Sequence, residues 1–143
     1  MSLSFPFPDI EWEPTQGFWE AASRETLALP RCPSCGRWDW YPTGTCGACE
    51  GVETAWQDLS GEAELFSWAV VERAFAKPFA DRVPFVAALV LPREAPSVRI
   101  PTNLVDCKVE ELRVGLRLRA VFRGLEFSGV EGRIVAPFFA PDA

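Results

Sequence analysis

Apolar residues along this chain recur with two different periods, and the change from one to the other separates the predicted elements. Between residues 16 and 24, Phe18, Trp19 and Ala22 lie at helical spacing with no intervening proline, which predicts a short amphipathic helix. Over residues 27–31 the apolar positions alternate, as they do in a strand. The residues ahead of the helix are rich in proline and aromatic side chains, so we expect an extended arm there.

The remainder of the chain is strand-like. After a short strand over 54–59, five main strands are predicted at residues 63–73, 83–91, 98–105, 116–125 and 134–139. A helical turn over 109–114, capped by Gly115, is predicted between the third and the fourth. Five short strands with one small helix before the fourth fit a Greek-key barrel of the OB type. The first of them is apolar on both faces, so the chain's own helix or another protein must cover its outer face.

Four of the five cysteines form two knuckles, Cys32-Pro33-Ser34-Cys35 and Cys46-Gly47-Ala48-Cys49, separated by ten residues. Two C-x2-C knuckles brought together make a closed tetrahedral sulfur site of the kind that Zn²⁺ takes in structural sites, although four thiolates also suit iron. The alternative, two disulfides, requires an oxidising compartment, and we see no signal peptide pattern. A closed sulfur site leaves no position for a substrate, so its predicted role is structural.

Composition and charge narrow the classes of function. The formal net charge is -6 with only 14 basic residues, which argues against a nucleic-acid partner because such affinity depends on Lys and Arg at phosphates. Histidine is absent, which removes the usual general base. No apolar run approaches the roughly 18 residues of a membrane span. We therefore expect a soluble, cytoplasmic globular protein.

Short motifs follow one another along most of the chain. They are Gly17-Phe18-Trp19-Glu20, Arg31-Cys32-Pro33-Ser34-Cys35-Gly36, Tyr41-Pro42, Phe66-Ser67-Trp68-Ala69-Val70-Val71, Asn103-Leu104-Val105-Asp106 and Val114-Gly115-Leu116-Arg117. In this order, from about Gly17 to Phe139, they resemble a zinc-ribbon plus OB-fold family associated with acyl-CoA enzymes, catalogued as domain of unknown function thirty-five. The resemblance implies a mainly β protein with three parts: an N-terminal arm and helix (1–26), a rubredoxin-like zinc ribbon (27–55) and a five-stranded OB-fold domain (56–143).

What the resemblance implies about function is a non-catalytic subunit in a hetero-oligomer. In such families a thiolase-fold partner (thiolase, acyltransferase or aldolase) carries the catalytic residues, and the small protein supports complex assembly and acyl-CoA access, in lipid or aromatic degradation for instance. The coenzyme A thioester is then a ligand of the complex, and the metal is Zn²⁺ or iron. Two alternatives stay open: a stand-alone acyl-CoA enzyme such as a hydratase component, and an OB protein that binds single-stranded nucleic acid.

Candidate contact residues follow from chemistry and composition. Arg73, Lys77 and Arg82, around the loop between the first two barrel strands, are candidates for the phosphates of coenzyme A. Aromatic residues that a small barrel cannot easily bury commonly mark an interface. The candidates for partner binding are Phe18, Trp19, Trp38, Trp40, Phe138 and Phe139. The alternative is that the aromatic segments at both ends lie back on the barrel and seal it.

The sequence departs from the family pattern at Trp38, Trp40, Pro101 and Cys107, and Pro101 is expected to interrupt the third barrel strand. Cys107 is a possible nucleophile, but it has only Lys108 as an adjacent cation, so we expect a passive thiol. Two acidic pairs could in principle act in acid-base chemistry, but solvated faces are their ordinary explanation: Glu62 with Glu64, and Glu110 with Glu111. We therefore predict no catalytic residue.

Overall fold

The structure, a computed structural model, describes residues 3–142. Helix α1 (Glu13–Ser23) begins earlier than the predicted 16–24. The reason is Pro14, which was assigned to the arm but lies in the first helical turn, where a missing N–H has no intrahelical partner to lose. No helix in the described chain has the length and apolarity that crossing a membrane requires.

The arm ahead of the helix is not simply extended, as the sequence suggested. It turns at Phe7, whose N–H donates to the Ser4 carbonyl oxygen at 3.0 Å. The Phe7 ring is buried and meets the Phe127 ring edge-on, with 5.0 Å between the ring centroids. Phe5 remains 71% exposed. The alternative in which the arm lies back on the barrel is therefore correct for Phe7 and not for Phe5.

Two strands form the small sheet that carries the cysteine loops. Strand β1 (Leu27–Arg31) pairs antiparallel with β2 (Ala55–Leu59), in a register that places Leu27 opposite Leu59. Pro30 is tolerated within β1 because both strands of a two-stranded sheet are edges. The 23 residues between the strands form the loops of the ribbon, and α1 packs on β1. The predicted strand leading into the first knuckle is thus confirmed.

The remaining strands close into a barrel. They are β3 (Glu62–Val71), β4 (Phe85–Pro92), β5 (Ile100–Leu104), β6 (Arg117–Phe127) and β7 (Val130–Pro141). The spatial order is β3-β4-β5-β7-β6, with a parallel contact between β5 and β7 and antiparallel pairs elsewhere. A 3-10 turn at Val109–Glu111 precedes the fourth barrel strand. The predicted number of strands and the position of the helical turn are both confirmed.

Three details of the barrel differ from the prediction. Strand β7 runs on to Pro141, so the aromatic C-terminal segment is part of the barrel and not an arm. Pro101 does not interrupt β5: it lies opposite Leu89 of β4, and on the other side β5 pairs with β7 only where Leu104 lies opposite Phe139. That other side is therefore edge-like at Pro101, which is where a strand tolerates proline. The helical turn is shorter than expected and ends well before Gly115, whose φ of 87° nevertheless matches the predicted left-handed position.

One hydrophobic core joins the ribbon to the barrel. Leu29 of β1, Val90 of β4 and Phe139 of β7 are completely buried, and they belong to the same packed cluster. The core therefore crosses residue 56, the predicted boundary between ribbon and OB domain, and holds the two parts in a fixed relation. Residues 1, 2 and 143, at the outer ends of the predicted divisions, lie outside the described chain.

Candidate functional site

The four knuckle cysteines lie together in the loops between β1 and β2. Their Sγ atoms are all within 4.8 Å of one another, and Cys35 Sγ lies 3.6 Å from Cys46 Sγ. A regular tetrahedron of four sulfurs around Zn²⁺ at about 2.3 Å has sulfur–sulfur edges of about 3.8 Å. The cysteines are thus positioned for metal binding. All five cysteines of the chain are free thiols in the structure.

Backbone hydrogen bonds orient the sulfurs in the same way in both knuckles. The N–H groups of Ser34 and Cys35 donate to Cys32 Sγ at 3.4 Å. Those of Ala48 and Cys49 donate to Cys46 Sγ at 3.3 Å. Donors that point at a sulfur stabilise its thiolate form, which is the form that binds metal. The repeated geometry indicates two half-sites built for the same ion.

The acid-base properties of the cluster also fit a bound cation. The pKa of Cys32 is lowered to about 7, chiefly because the Cys35 backbone N–H donates to its sulfur. The pKa of Cys49 is raised to about 12, chiefly through its hydrogen bond with Cys35 and then through burial. Four adjacent thiolates repel one another unless a cation neutralises them. The donor set is soft and tetrahedral, which suits Zn²⁺ or iron.

The residues around the cluster support the loops and offer no reactive group. Arg31 Nε donates to the Gly36 carbonyl oxygen at 3.0 Å, and the Arg31 guanidinium lies 4.8 Å from the centre of the Trp38 ring. Trp38 is 9% exposed and belongs to the hydrophobic core. Arg37 forms a 3.0 Å ion pair with Asp39. This arrangement accounts for Trp38, one of the residues that departed from the family pattern, as a cover for the ribbon.

The predicted partner-binding residues fall into two groups. Phe18, Trp38, Phe138 and Phe139 are buried within the chain. Trp19 and Trp40 are half-buried, and both contact the Phe18 ring, with ring centroids 5.1 Å and 4.6 Å away. Only these two of the six are placed to reach a partner directly.

Four aromatic residues are more than half exposed: Phe75 at 89%, Phe5 at 71%, Tyr41 at 64% and Trp12 at 51%. Sequence reasoning placed Phe5 and Trp12 in an aromatic segment that could mark an interface, but it did not single out Phe75 or Tyr41. Three of them lie in loops or in the arm and the fourth at the start of α1, where neither strand nor helix periodicity marks a buried face. The one available signal was an aromatic residue in a predicted loop, as at Phe75 between β3 and β4.

An aromatic cleft opens where arm, helix, ribbon and barrel meet. Its volume is about 500 Å³. Trp12 and Trp19 line it from the helix side, and Trp40 and Tyr41 from the ribbon side. The Trp40 Nε1–H is buried and has no hydrogen-bond partner within the described residues. We refer to this feature, with these four residues, as the aromatic cleft.

The three candidate cations for coenzyme A are not gathered at one point. Arg82 is held by the β6–β7 hairpin: its Nη1 donates to the Glu126 carbonyl oxygen at 3.1 Å, and its guanidinium lies 5.1 Å from the centre of the Phe127 ring. Arg73 and Lys77 are exposed and form no ion pair with any described residue. Arg73 lines a different hollow from Arg82.

The candidate catalytic groups are not arranged for catalysis. Burial, together with the charges of Glu111 and Asp106, raises the pKa of the Cys107 thiol, which is the opposite of what a nucleophile needs. Glu62 is in a 2.5 Å ion pair with Arg93, and Glu111 accepts a hydrogen bond from the Lys108 N–H at 2.8 Å. Within residues 3–142 the knuckle cysteines form the only cluster of three or more Cys, Asp or Glu that could hold a metal ion.

Comparison with known proteins follows the same division of the chain. Residues 19–54 match the model of the ChsH2 rubredoxin-like zinc ribbon domain, and residues 56–123 match that of the ChsH2 C-terminal OB-fold domain. The DUF35 domain-containing scaffold protein of Methanocaldococcus jannaschii is 32% identical over 113 residues, which are 78% of this chain and 77% of that protein. The predicted rubredoxin-like ribbon and OB-fold barrel are therefore confirmed.

Two further relatives are named for enzymes. A chain of the solved "Ltp2-ChsH2(DUF35) aldolase" superimposes with a TM-score of 0.74 at 25% identity, over 94% of this chain and 98% of that one. The "Probable enoyl-CoA hydratase alpha subunit" of Thermomonospora curvata is 26% identical over 87% of this chain. The match covers only 36% of that relative, so this chain corresponds to about a third of its length.

Proposed function

This chain belongs to the DUF35 family of proteins with a rubredoxin-like zinc ribbon and an OB fold, and from that membership we propose that it is a non-catalytic subunit that binds a thiolase-fold enzyme. Its partner is a thiolase, acyltransferase or aldolase, and the complex acts on an acyl-CoA thioester. The aldolase named in the solved relative and the scaffold named in the archaeal relative support this proposal. The chain itself supplies assembly and substrate access.

The aromatic cleft is the observation that carries the proposal. Tyr41 and Trp12 expose more than half of their surface there, and tryptophan and tyrosine are enriched in protein interfaces. The unpaired Nε1–H of Trp40 is a buried donor without an acceptor, which costs about 1–3 kcal/mol until an acceptor is supplied. A partner that packs into this cleft would cover the exposed rings and could supply that acceptor.

The metal site and the cleft are connected through the chain. Trp40 and Tyr41 lie between the two knuckles, after Cys35 and before Cys46. A metal bound by Cys32, Cys35, Cys46 and Cys49 would therefore fix the ribbon wall of the cleft. We assign Zn²⁺ to this site, with iron as the alternative, because the site is closed by four sulfurs and has no open position for a reaction. Free thiols throughout fit the cytoplasm, where we place the protein.

The experiment is affinity purification of the tagged, metal-loaded chain from its native cell, followed by mass spectrometry. A thiolase-fold protein should co-elute in a fixed ratio, and the double substitution Trp12→Ser with Tyr41→Ser should abolish its recovery. Val114→Ser is the matched control, because Val114 is 72% exposed in a loop outside the cleft. Turnover of acyl-CoA thioesters by the purified chain alone, or an eluate without any thiolase-fold protein, would overturn the proposal.

A second candidate is a component of an enoyl-CoA hydratase, which the Thermomonospora relative favours. The chain matches only about a third of that protein. If it is a hydratase component, the catalytic residues of the hydratase would therefore also belong to a partner. The same affinity purification distinguishes the two candidates. Recovery of a hydratase in place of a thiolase-fold enzyme would support the hydratase component.

A further inference from the structure

The aromatic cleft carries negative charge at its edge and no positive charge. Asp9 lines it, whereas none of the described residues that line it is a lysine or an arginine. Asp9 is exposed and forms no ion pair with any residue of 3–142. Glu13, which is also exposed, follows Trp12 in the chain and lies in the first turn of α1. The cleft therefore combines aromatic rings with carboxylates, a combination that favours a cation as its occupant.

The rings of the cleft are supported from within and open towards solvent. The Trp40 ring packs on the buried Phe18 ring, with 4.6 Å between the centroids. Tyr41 packs on Trp40 in turn, at 4.7 Å and an interplanar angle of 31°, and it remains 64% exposed. Trp12 is exposed by about half on the helix side. A cation binds over the face of a tryptophan or tyrosine within about 6 Å of the ring centre, and such faces are accessible here.

Elsewhere in the structure, the chain's own arginines lie over aromatic rings. Three guanidinium groups lie 4.2–5.1 Å from a ring centre: Arg31 over Trp38, Arg82 over Phe127 and Arg99 over Phe66. Among the described residues, no arginine or lysine lies over the four rings that define the aromatic cleft. These rings are thus aromatic faces for which the described chain provides no cation, in a protein whose net charge is -6.

We propose that the aromatic cleft receives an arginine side chain of the partner enzyme, with the guanidinium against Tyr41 and Trp12 and paired with the Asp9 carboxylate. That the arginine belongs to a thiolase-fold enzyme rests on the proposed function. The Glu11 backbone N–H donates to Asp9 Oδ1 at 3.0 Å, which orients the carboxylate.

The chemistry of the cleft favours arginine over lysine. A guanidinium is planar, stacks on aromatic faces, is weakly hydrated and presents forked donors that match a carboxylate, whereas an ammonium is compact and strongly hydrated. The cleft volume of about 500 Å³ lies in the range of pockets for whole small molecules, so it has room for the side chain together with its flanking backbone. The occupant is therefore an arginine within an extended segment of the partner.

NMR titration of the full, metal-loaded chain with short peptides tests the cleft without the partner. The probes are acetylated, amidated tripeptides with a central arginine, lysine or citrulline between two glycines, at millimolar concentration. The arginine peptide should shift the indole N–H signals of Trp12, Trp19 and Trp40 and leave that of Trp38, which does not line the cleft. Citrulline has the shape of arginine without its charge, so its peptide should bind at least about threefold more weakly. The lysine peptide should fall between them.

Substitutions in the cleft and matched substitutions outside it show which groups bind the peptide. Asp9→Asn should weaken binding of the arginine peptide by at least about threefold and reduce its dependence on salt. Tyr41→Leu should weaken it by a similar factor, because the ring face is lost. Asp58→Asn and Phe75→Leu change an exposed carboxylate and an exposed ring away from the cleft, so neither should alter the affinity.

Four results would overturn the proposal. They are no shift of the cleft signals with the arginine peptide, equal binding of the citrulline peptide, tighter binding of tetramethylammonium, and unchanged affinity in both Asp9→Asn and Tyr41→Leu. If a thiolase-fold protein still co-purifies with the chain in any of these cases, the proposed function stands without an arginine in the cleft. If the arginine peptide binds as expected but no thiolase-fold protein co-purifies, the proposed function and the assigned source of the arginine are wrong, and the recognition of arginine stands.

Discussion

The indole of Trp56 occupies the space that any side chain at Gly17 would need. A Cβ atom built on Gly17 would lie 2.3 Å from Trp56 Cε2, well inside van der Waals contact. Gly17 is in the middle of α1, and Trp56 is on β2 opposite Pro30, so the contact joins the helix to the ribbon sheet. The ring can approach the helix backbone only because residue 17 has no side chain.

Gly17→Ala is expected to destabilise the protein, against the usual rule for helices. Alanine normally stabilises a helix interior by about 0.5–1 kcal/mol relative to glycine. Here overpacking against Trp56 should reverse the sign and lower the free energy of unfolding by about 1–3 kcal/mol. Urea unfolding measures the effect, with Gln16→Ala as an exposed control in the same helix. If Gly17→Ala is still destabilising in a Trp56→Ala background, the steric explanation is wrong.

Cys35→Ser and Cys46→Ser are expected to lose the metal and much of the ribbon's stability. Structural Zn²⁺ contributes on the order of 10 kcal/mol to folding in isolated zinc modules, so a large drop in Tm should accompany the loss. Elemental analysis gives the metal content per chain and separates Zn²⁺ from iron. Cys107→Ser is the matched control and should keep the full metal content, since Cys107 lies outside the cluster. Retention of metal by both knuckle variants would contradict the assignment.

Phe139→Ala and Tyr41→Ala remove one aromatic ring each but should change the stability by very different amounts. Phe139 is completely buried between β5 and β6, so its loss leaves a cavity and should cost about 3–5 kcal/mol of unfolding free energy. Tyr41 is 64% exposed, and its loss should change stability by less than about 0.5 kcal/mol. Thermal and urea unfolding check both values. If both substitutions lower the unfolding free energy equally, Tyr41 has a structural role.

The Asp81 carboxylate should titrate below its ordinary value, and its pKa should rise when Ser128 is replaced. The Ser128 hydroxyl donates to Asp81 Oδ2 at 2.6 Å and is the chief reason why the pKa of Asp81 is lowered from 3.8. Because the pKa is lower in the folded state, this contact stabilises the fold above pH 3.8 and is lost as the pH falls through the folded value. Carbon-detected NMR of the side chain, in the parent chain and in Ser128→Ala, measures the two midpoints. If the two midpoints are identical, the Ser128 hydroxyl is not what lowers the pKa of Asp81.

Much of the fold could be predicted because its signals are local. The spacing of the cysteines, the turn at Gly115 and the alternation in β1 depend on neighbours within a few residues, and each was found where the sequence placed it. The start of α1 was missed because Pro14 is read as a helix breaker, although it is favoured in the first turn. The predicted last strand ended at Phe139, whereas β7 continues two residues further to Pro141.

The sequence by itself determined which residues could bind a metal and how many strands could form, because thiolate chemistry and strand periodicity belong to short segments. Only the tertiary structure decided which aromatic residues face solvent. Phe139 and Phe75 are equally apolar, yet Phe139 is buried on β7 between β5 and β6, whereas Phe75 lies exposed in the β3–β4 loop. Burial depends on distant segments meeting, so the aromatic cleft exists only once arm, helix, ribbon and barrel have assembled.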